Sequence, residues 1–132
     1  MILVFKMTKL LIVDDEQFNL NALERCLKRS YEIVTAISGA EALERLTEGG
    51  VDMIISDWDM PEMHGSELVR VVRTSEESYS KVPIIMISGG YVKKSEKVAE
   101  YRKNQWVQEF LVKPADVQEL HGLIVEYCNV ME

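Results

Sequence analysis

The chain is short of most of the features that mark whole classes of protein. Its 132 residues include only two cysteines, Cys26 and Cys128, which fall in segments of helical pattern. They have neither metal-ligand spacing nor close pairing, so they read as reduced, cytoplasmic thiols rather than a disulfide framework. Prolines number three and glycines seven, too few for a low-complexity chain. No apolar run approaches the roughly 18 residues of a membrane span. The opening Met1 to Phe5 is far too short for the apolar core of a signal peptide. Positive charge is in deficit: 15 basic against 22 acidic residues give a formal charge of -7, which disfavours direct nucleic-acid binding. A glycine-rich phosphate loop is missing after the first apolar run, which argues against nucleotide binding.

What is present is a globular mixture, 47% hydrophobic and 28% charged, at a length that fits one domain. Apolar runs and helical stripes alternate. Lys9 to Val13 is a short buried-strand pattern ending in Asp14-Asp15, and Leu20, Leu23 and Leu27 then recur at helical spacing over residues 17–29. Tyr31 to Ala36 reads as a strand, and Ser38-Gly-Ala-Glu41 spells a capping box before a helix that Gly49-Gly50 closes. Met53, Ile54 and Ile55 form a central strand delivering Asp57, followed by a helix over 65–75. Val82 to Ile87 is a further strand, ending at Ser88 and Gly89-Gly90. Residues 91–103 are mostly polar, so their helix is expected to be the least firmly packed, with Asn104 as its left-handed stop. Val107 to Val112 leads to Lys113-Pro114, and Val117, Leu120, Ile124 and Tyr127 mark a last helix. Five strands alternating with five helices predict an α/β domain with a parallel five-stranded sheet covered on both faces. Residues 1–8 read as an N-terminal extension in which Met7 offers an alternative start, 9–128 as the domain, and 129–132 as a tail.

In such a sheet the strands' carboxyl ends share one edge, where ligands bind. Asp14, Asp15, Asp57, Ser88 and Lys113 are all sent there. Crowded carboxylates repel, and a hard divalent cation relieves them; Mg²⁺ suits one or two carboxylates, waters and a phosphate oxygen. A carboxylate can also accept a phosphoryl group, and that transfer needs positioning and charge neutralisation more than covalent help. The roles follow: Asp57 attacks, Asp15 and Asp57 hold the metal, Asp14 holds one of its waters, and Lys113 and Ser88 each bind a phosphoryl oxygen. Taken singly, Asp14-Asp15 would pass as a helix cap, Ser88 as a turn residue and Lys113 as a surface cation.

The ordered motifs LLIVDDE, IISDWDMPEMHG, PIIMISG and FLVKP resemble the receiver domain of bacterial two-component response regulators, especially the single-domain chemotaxis type, from about Lys9 to Tyr127. The resemblance implies a flavodoxin-like (βα)5 three-layer sandwich with strand order 2-1-3-4-5. It implies that a histidine kinase or histidine phosphotransfer protein phosphorylates Asp57 in a Mg²⁺-dependent way, and that the domain catalyses its own phosphorylation and dephosphorylation. It further places a metal-binding backbone carbonyl at Asp59 and a switch aromatic at Phe110, which together with Ser88 would reshape the α4-β5-α5 face for a partner. On that reading Phe110 turns inward from an exposed position, and Lys93, Lys94, Lys97 and Lys103 offer a basic surface. Four departures stand out: His64 in place of an Asp before the glycine, Gly89 in place of a small Ala, Asn104-Gln105-Trp106 in place of a Gly-Ala pair, and Ala115 in place of an aromatic.

Two rivals remain. Asp57-Trp58-Asp59 spells D-x-D after an apolar strand, as in Mg-dependent phosphohydrolases of the haloacid dehalogenase type, where the second Asp is general acid and base. In that family D-x-D comes first and the acidic pair late, the reverse of the order here. A pseudo-receiver that only docks a partner would lack the acceptor, the acidic pair or the lysine, and this chain has all of them.

Overall fold

A computed structural model describes residues 6–90 and 95–128. The elements are β1 (Lys9–Val13), α1 (Gln17–Leu27), β2 (Glu32–Ala36), α2 (Gly39–Thr47), β3 (Met53–Asp57), α3 (Gly65–Thr74), β4 (Ile84–Ser88), α4 (Glu96–Lys103), β5 (Glu109–Val112) and α5 (Val117–Cys128). All sheet pairings are parallel and the strand order is β2-β1-β3-β4-β5, the flavodoxin-like topology. The order places β3 at the centre of the sheet.

The strands explain the layering. Because successive side chains alternate across a strand, β3 sends Met53 and Ile55 to one face and Ile54 to the other. One core joins Leu10, Ile12, Ile85 and Leu111 to Leu20 and Leu27 of α1 and Leu120 and Ile124 of α5. The opposite core joins Leu11, Ile84, Met86 and Phe110 to α2, α3 and α4. With both faces buried, β3 and β4 are apolar almost throughout.

Helix ends account for most of the differences from expectation. Ser38 accepts the Glu41 amide at 3.1 Å, as its capping-box spelling requires. His64 itself caps α3, its Nδ1 accepting the Ser66 amide at 3.1 Å. Asn104 is not the left-handed stop: its φ of -83° is ordinary, and Gln105 takes φ 60° instead. The reason is a Schellman closure, in which the Trp106 amide donates to Tyr101 O and the Gln105 amide to Arg102 O, fixing the left-handed residue one place later. The Trp106 ring lies 5.3 Å from that of Tyr101 and supplies the hydrophobic contact of the motif. Helix α5 begins at Val117, shortly after the proline as expected, under an Asp116 cap, with Asp116 Oδ1 accepting the Gln118 and Glu119 amides. Helix α4 buries only Val98 and Tyr101, in keeping with the light packing expected of it. Val92, Lys93 and Lys94 lie outside the described residues, as do Met1–Phe5 and 129–132.

Arg73, at the end of α3, donates to Trp106 O and Ser80 O, both at 2.9 Å, and burial lowers its guanidinium to about 10. It ties α3 to the turn before β5.

Two glycines should respond oppositely to alanine. At Gly65 an added Cβ would sit 2.8 Å from Trp58 Cα and 2.9 Å from the carbonyl oxygens of Asp57 and Trp58, backbone atoms that cannot swing away. At Gly122, exposed within α5, a Cβ meets nothing within 4 Å. Urea unfolding should show Gly65→Ala destabilised by about 1–3 kcal/mol and Gly122→Ala stabilised by roughly 0.5–1 kcal/mol.

Candidate functional site

The carboxyl-terminal edge of the sheet gathers the polar groups because parallel strands in register end together. Val13 pairs with Ala36 and Ser56, Asp57 with Ile87, and Ser88 with Val112, so Asp14, Asp57, Ser88 and Lys113 leave their strands at one level. Asp57 is 3% exposed, Asp14 6% and Ser88 1%, whereas Asp15 is open to solvent.

Asp57 Oδ1 accepts from Lys113 Nζ at 2.9 Å and from the Asp59 amide at 3.2 Å. Lys113 is itself placed by its backbone, whose amide donates to Ser88 O at 2.8 Å. The Lys113–Pro114 peptide is cis. Asp14 is held by two local bonds, from the Glu16 amide to Oδ1 at 2.9 Å and from Asn19 Nδ2 to Oδ2 at 3.2 Å. Asp14, Asp15 and Asp57 each bring a carboxylate oxygen within 4.8 Å of the others, so this acidic cluster could bind a metal ion. Burial raises the pKa of Asp57, with Asp14 adding to the rise and Lys113 opposing it. Burial likewise raises Asp14, against the bonds from Glu16 and Asn19. Burial pulls the Lys113 ammonium down, but its bond to Asp57 and the charges of Asp57, Asp14 and Asp59 leave it raised overall. One ammonium therefore faces a crowd of carboxylates, and the donor set is the all-oxygen kind that hard divalent cations take.

The sequence-predicted residues are thus brought to one edge, with one difference. Phe110 is only 7% exposed and lies edge-on to Trp58, centroids 5.1 Å apart at 77°. The inward turn expected of it has no exposed starting point in this state, because Trp58, Tyr101 and α3 already enclose that side of β5. Two contributors were missed. Asn19 orients Asp14, and no spacing rule marks an amide five residues past a carboxylate. Trp58 carries the turn after Asp57 into the core with His64, Tyr101 and Phe110 around it; only its aromatic bulk beside the acceptor hinted at this.

An acidic cluster with an ammonium at the carboxyl edge of a five-stranded parallel sheet is the arrangement expected of a receiver-type signalling module. Residues 10–125 match the response regulator receiver domain, and the chain belongs to that family. It is similar to a chemotaxis protein CheY homolog of Campylobacter jejuni, 38% identical over 117 residues covering 85% of each chain. It is 34% identical over 112 residues to the CAI-1 autoinducer sensor kinase/phosphatase CqsS of Vibrio cholerae, a match covering 82% of this chain but only 16% of the length of that relative. Among solved structures, chemotaxis protein CheY4 of Vibrio cholerae superposes with a TM-score of 0.79 at 32% identity, covering 92% of this chain and 99% of that one. A response regulator receiver domain protein of Clostridium thermocellum gives 0.81 at 26% identity, covering 93% and 95%. Receiver and sensor-kinase relatives together indicate kinase-related signalling partners. No described helix is long and apolar enough to cross a membrane.

The raised Asp57 carboxyl makes a signed prediction. Its charged form is disfavoured by the fold, so it costs stability above its folded pKa, and that cost vanishes as pH falls toward the ordinary 3.8. Without divalent cations, Asp57→Asn should be more stable than wild type near neutral pH, and its advantage should shrink as pH falls toward 4. Paired urea titrations across that range measure it; a variant less stable at pH 7 would mean that the Lys113 bond outweighs burial.

Proposed function

We propose that Asp57 takes a phosphoryl group from a phosphohistidine of a sensor histidine kinase or a histidine phosphotransfer protein, in the cytoplasm, with residues 9–128 as the receiver unit. The observation carrying this reading is a nearly buried carboxylate, bonded 2.9 Å from an ammonium and within 4.8 Å of two further carboxylates, at the end of the central strand. The Asp57 oxygen forms the new bond to phosphorus as the phosphorus–nitrogen bond breaks, its electron pair staying on the imidazole of the donor. Lys113 meets one phosphoryl oxygen and Ser88 another. The domain itself catalyses the transfer and the later hydrolysis.

The ion we assign to the acidic cluster is Mg²⁺, held by Asp15, Asp57 and the backbone carbonyl of Asp59, with Asp14 acting through a water. When bound it neutralises charge on acceptor and phosphoryl oxygens alike. The fit is supported by a donor set that is entirely oxygen and by the burial, with neighbouring carboxylate charge added to it, that raises Asp14 and Asp57 above their ordinary pKa.

The α4-β5-α5 face is the output surface in this reading. A phosphoryl dianion gives Ser88 an acceptor, and Gly89 and Gly90 leave its loop free to follow. Since Phe110 is already packed, the change must pass through the Trp58–Phe110–Tyr101 contacts rather than through burial of an exposed ring. Helix α4 is the element free to shift, and its exposed Lys97 and Lys103 contribute positive charge to the face.

Acetyl phosphate with Mg²⁺ should label Asp57 stoichiometrically, as read by mass spectrometry, and Asp57→Asn should abolish the label. Lys113→Ala should keep Mg²⁺-dependent stabilisation and lose the response; Asp15→Ala should lose the stabilisation. In the beryllofluoride complex, amide exchange should change across the β4–β5 region as well as beside Asp57. A phosphoryl group on another residue would contradict the assignment.

A further inference from the structure

Asparagine is a weak helix former because its short amide competes with the backbone, yet Asn19 is the third residue of α1. Its backbone is fixed by the first turn, the Asn19 and Leu20 amides donating to Glu16 O at 3.0 and 3.2 Å. The side chain reaches back to the sheet edge, where Nδ2 donates to Asp14 Oδ2 at 3.2 Å and to Glu16 Oε2 at 3.3 Å. The Glu16 amide meanwhile holds Asp14 Oδ1 at 2.9 Å. Both oxygens of the nearly buried Asp14 are therefore tied to the start of α1, whereas neighbouring Asp15 is open to solvent. The Asn19 donor is also neutral, so it holds the carboxylate without adding a positive charge that would repel a cation.

We propose that Asn19 is a positioning residue that keeps Asp14 in the outer shell of the acidic cluster and thereby sets the preference of the cluster for Mg²⁺ over Ca²⁺; the proposal rests on the metal assignment made above. The two ions ask different things of a protein. Mg²⁺ keeps several waters and takes one or two carboxylates in octahedral geometry, whereas Ca²⁺ takes about six to eight oxygens in a flexible shell. A carboxylate held as Asp14 is suits the first: its remaining lone pairs accept from water while the group stays where α1 fixes it. Without Asn19, Asp14 keeps only the bond from the Glu16 amide and is free to rotate into direct ligation beside Asp15 and Asp57. One more direct oxygen serves Ca²⁺ and does not serve Mg²⁺. Charge alone predicts no such split, because removing a neutral side chain leaves the charge of the cluster unchanged.

The test titrates the full chain with MgCl₂ and, separately, with CaCl₂ at constant ionic strength, following the amide shifts of Asp14, Asp15 and Asp57. Asn19→Ala should weaken Mg²⁺ binding roughly tenfold, at the lower end of the about 10–100-fold typical of outer-shell groups. It should weaken Ca²⁺ binding by less or tighten it, so that the ratio of the two affinities falls. Asn19→Leu keeps the bulk without the donor and should lower the ratio in the same way. In the Asp14→Ala background, Asn19→Ala should leave the ratio unchanged. Gln17→Ala removes a 2.9 Å bond to Asn21 in the same stretch of helix and should leave both affinities at their wild-type values. Equal losses for the two ions, a fall in the ratio that persists without Asp14, or a matching fall in Gln17→Ala overturns the proposal. Unchanged Mg²⁺ binding in both Asn19 variants also overturns it, while the metal assignment stands. A wild-type chain that binds neither ion overturns the metal assignment, and this inference with it.

Discussion

The site depends on one ion pair, Lys113 Nζ to Asp57 Oδ1 at 2.9 Å, set into a cluster that is otherwise all acid. Coulomb repulsion among three neighbouring carboxylates grows as water is excluded, and Asp14 and Asp57 are both nearly buried. A flexible chain would relieve this by moving apart. This one cannot, because Asp57 ends the central strand of a sheet whose flanking residues Ile54 and Ile55 are fully buried on opposite faces. Burial raises both carboxyls and like charge adds to the rise, and packing builds this in: close-packed cores on both sides of the sheet hold the groups together. A single ammonium offsets part of it, and the acidic cluster that remains could bind a metal ion.

The same turn couples the site to the rest of the domain. Trp58, the residue after the acceptor, packs against Phe110 of β5, Tyr101 of α4 and His64 of the α3 cap. The Tyr101 hydroxyl donates to Ser66 O at 3.0 Å, and the Schellman turn binds Trp106 back onto Tyr101. A displacement at the carboxyl edge therefore meets a continuous aromatic group leading to α4, the helix with the fewest buried anchors. Arg73 pins the far end of that path through Trp106 O and Ser80 O. The path thus has one end at Asp57 and the other fixed, and α4 between them is the part least held.

How much of this was legible in the sequence depends on the range of the interaction. The strands and most helices were, because burial on both faces of a parallel sheet leaves apolar runs such as MII and IIMI that no other arrangement explains as simply. The five polar residues at the strand ends were legible for the same reason: once the strands are parallel, their carboxyl ends are forced together. Interactions decided by a single bond were not. Gln105 rather than Asn104 takes the left-handed conformation because of two backbone hydrogen bonds that propensity does not see. His64 caps α3 through a ring nitrogen, where the usual preference is for a short oxygen-bearing side chain. Phe110 was expected as an inward-turning switch on the family resemblance, whereas Trp58 and Tyr101, distant in sequence, already enclose it. Asn19 and Asp116 act through contacts that leave no periodic trace.

The central proposal is that burial and neighbouring charge together hold the Asp57 carboxyl above its ordinary pKa and that a divalent cation bound at the acidic cluster would reverse this. A carbon-13 titration of the Asp57 carboxyl measures this most directly. Without divalent cations the midpoint should lie above the ordinary 3.8, and saturating Mg²⁺ should move it to below that value. A midpoint at or below 3.8 in the metal-free protein, or one indifferent to Mg²⁺, would contradict the account.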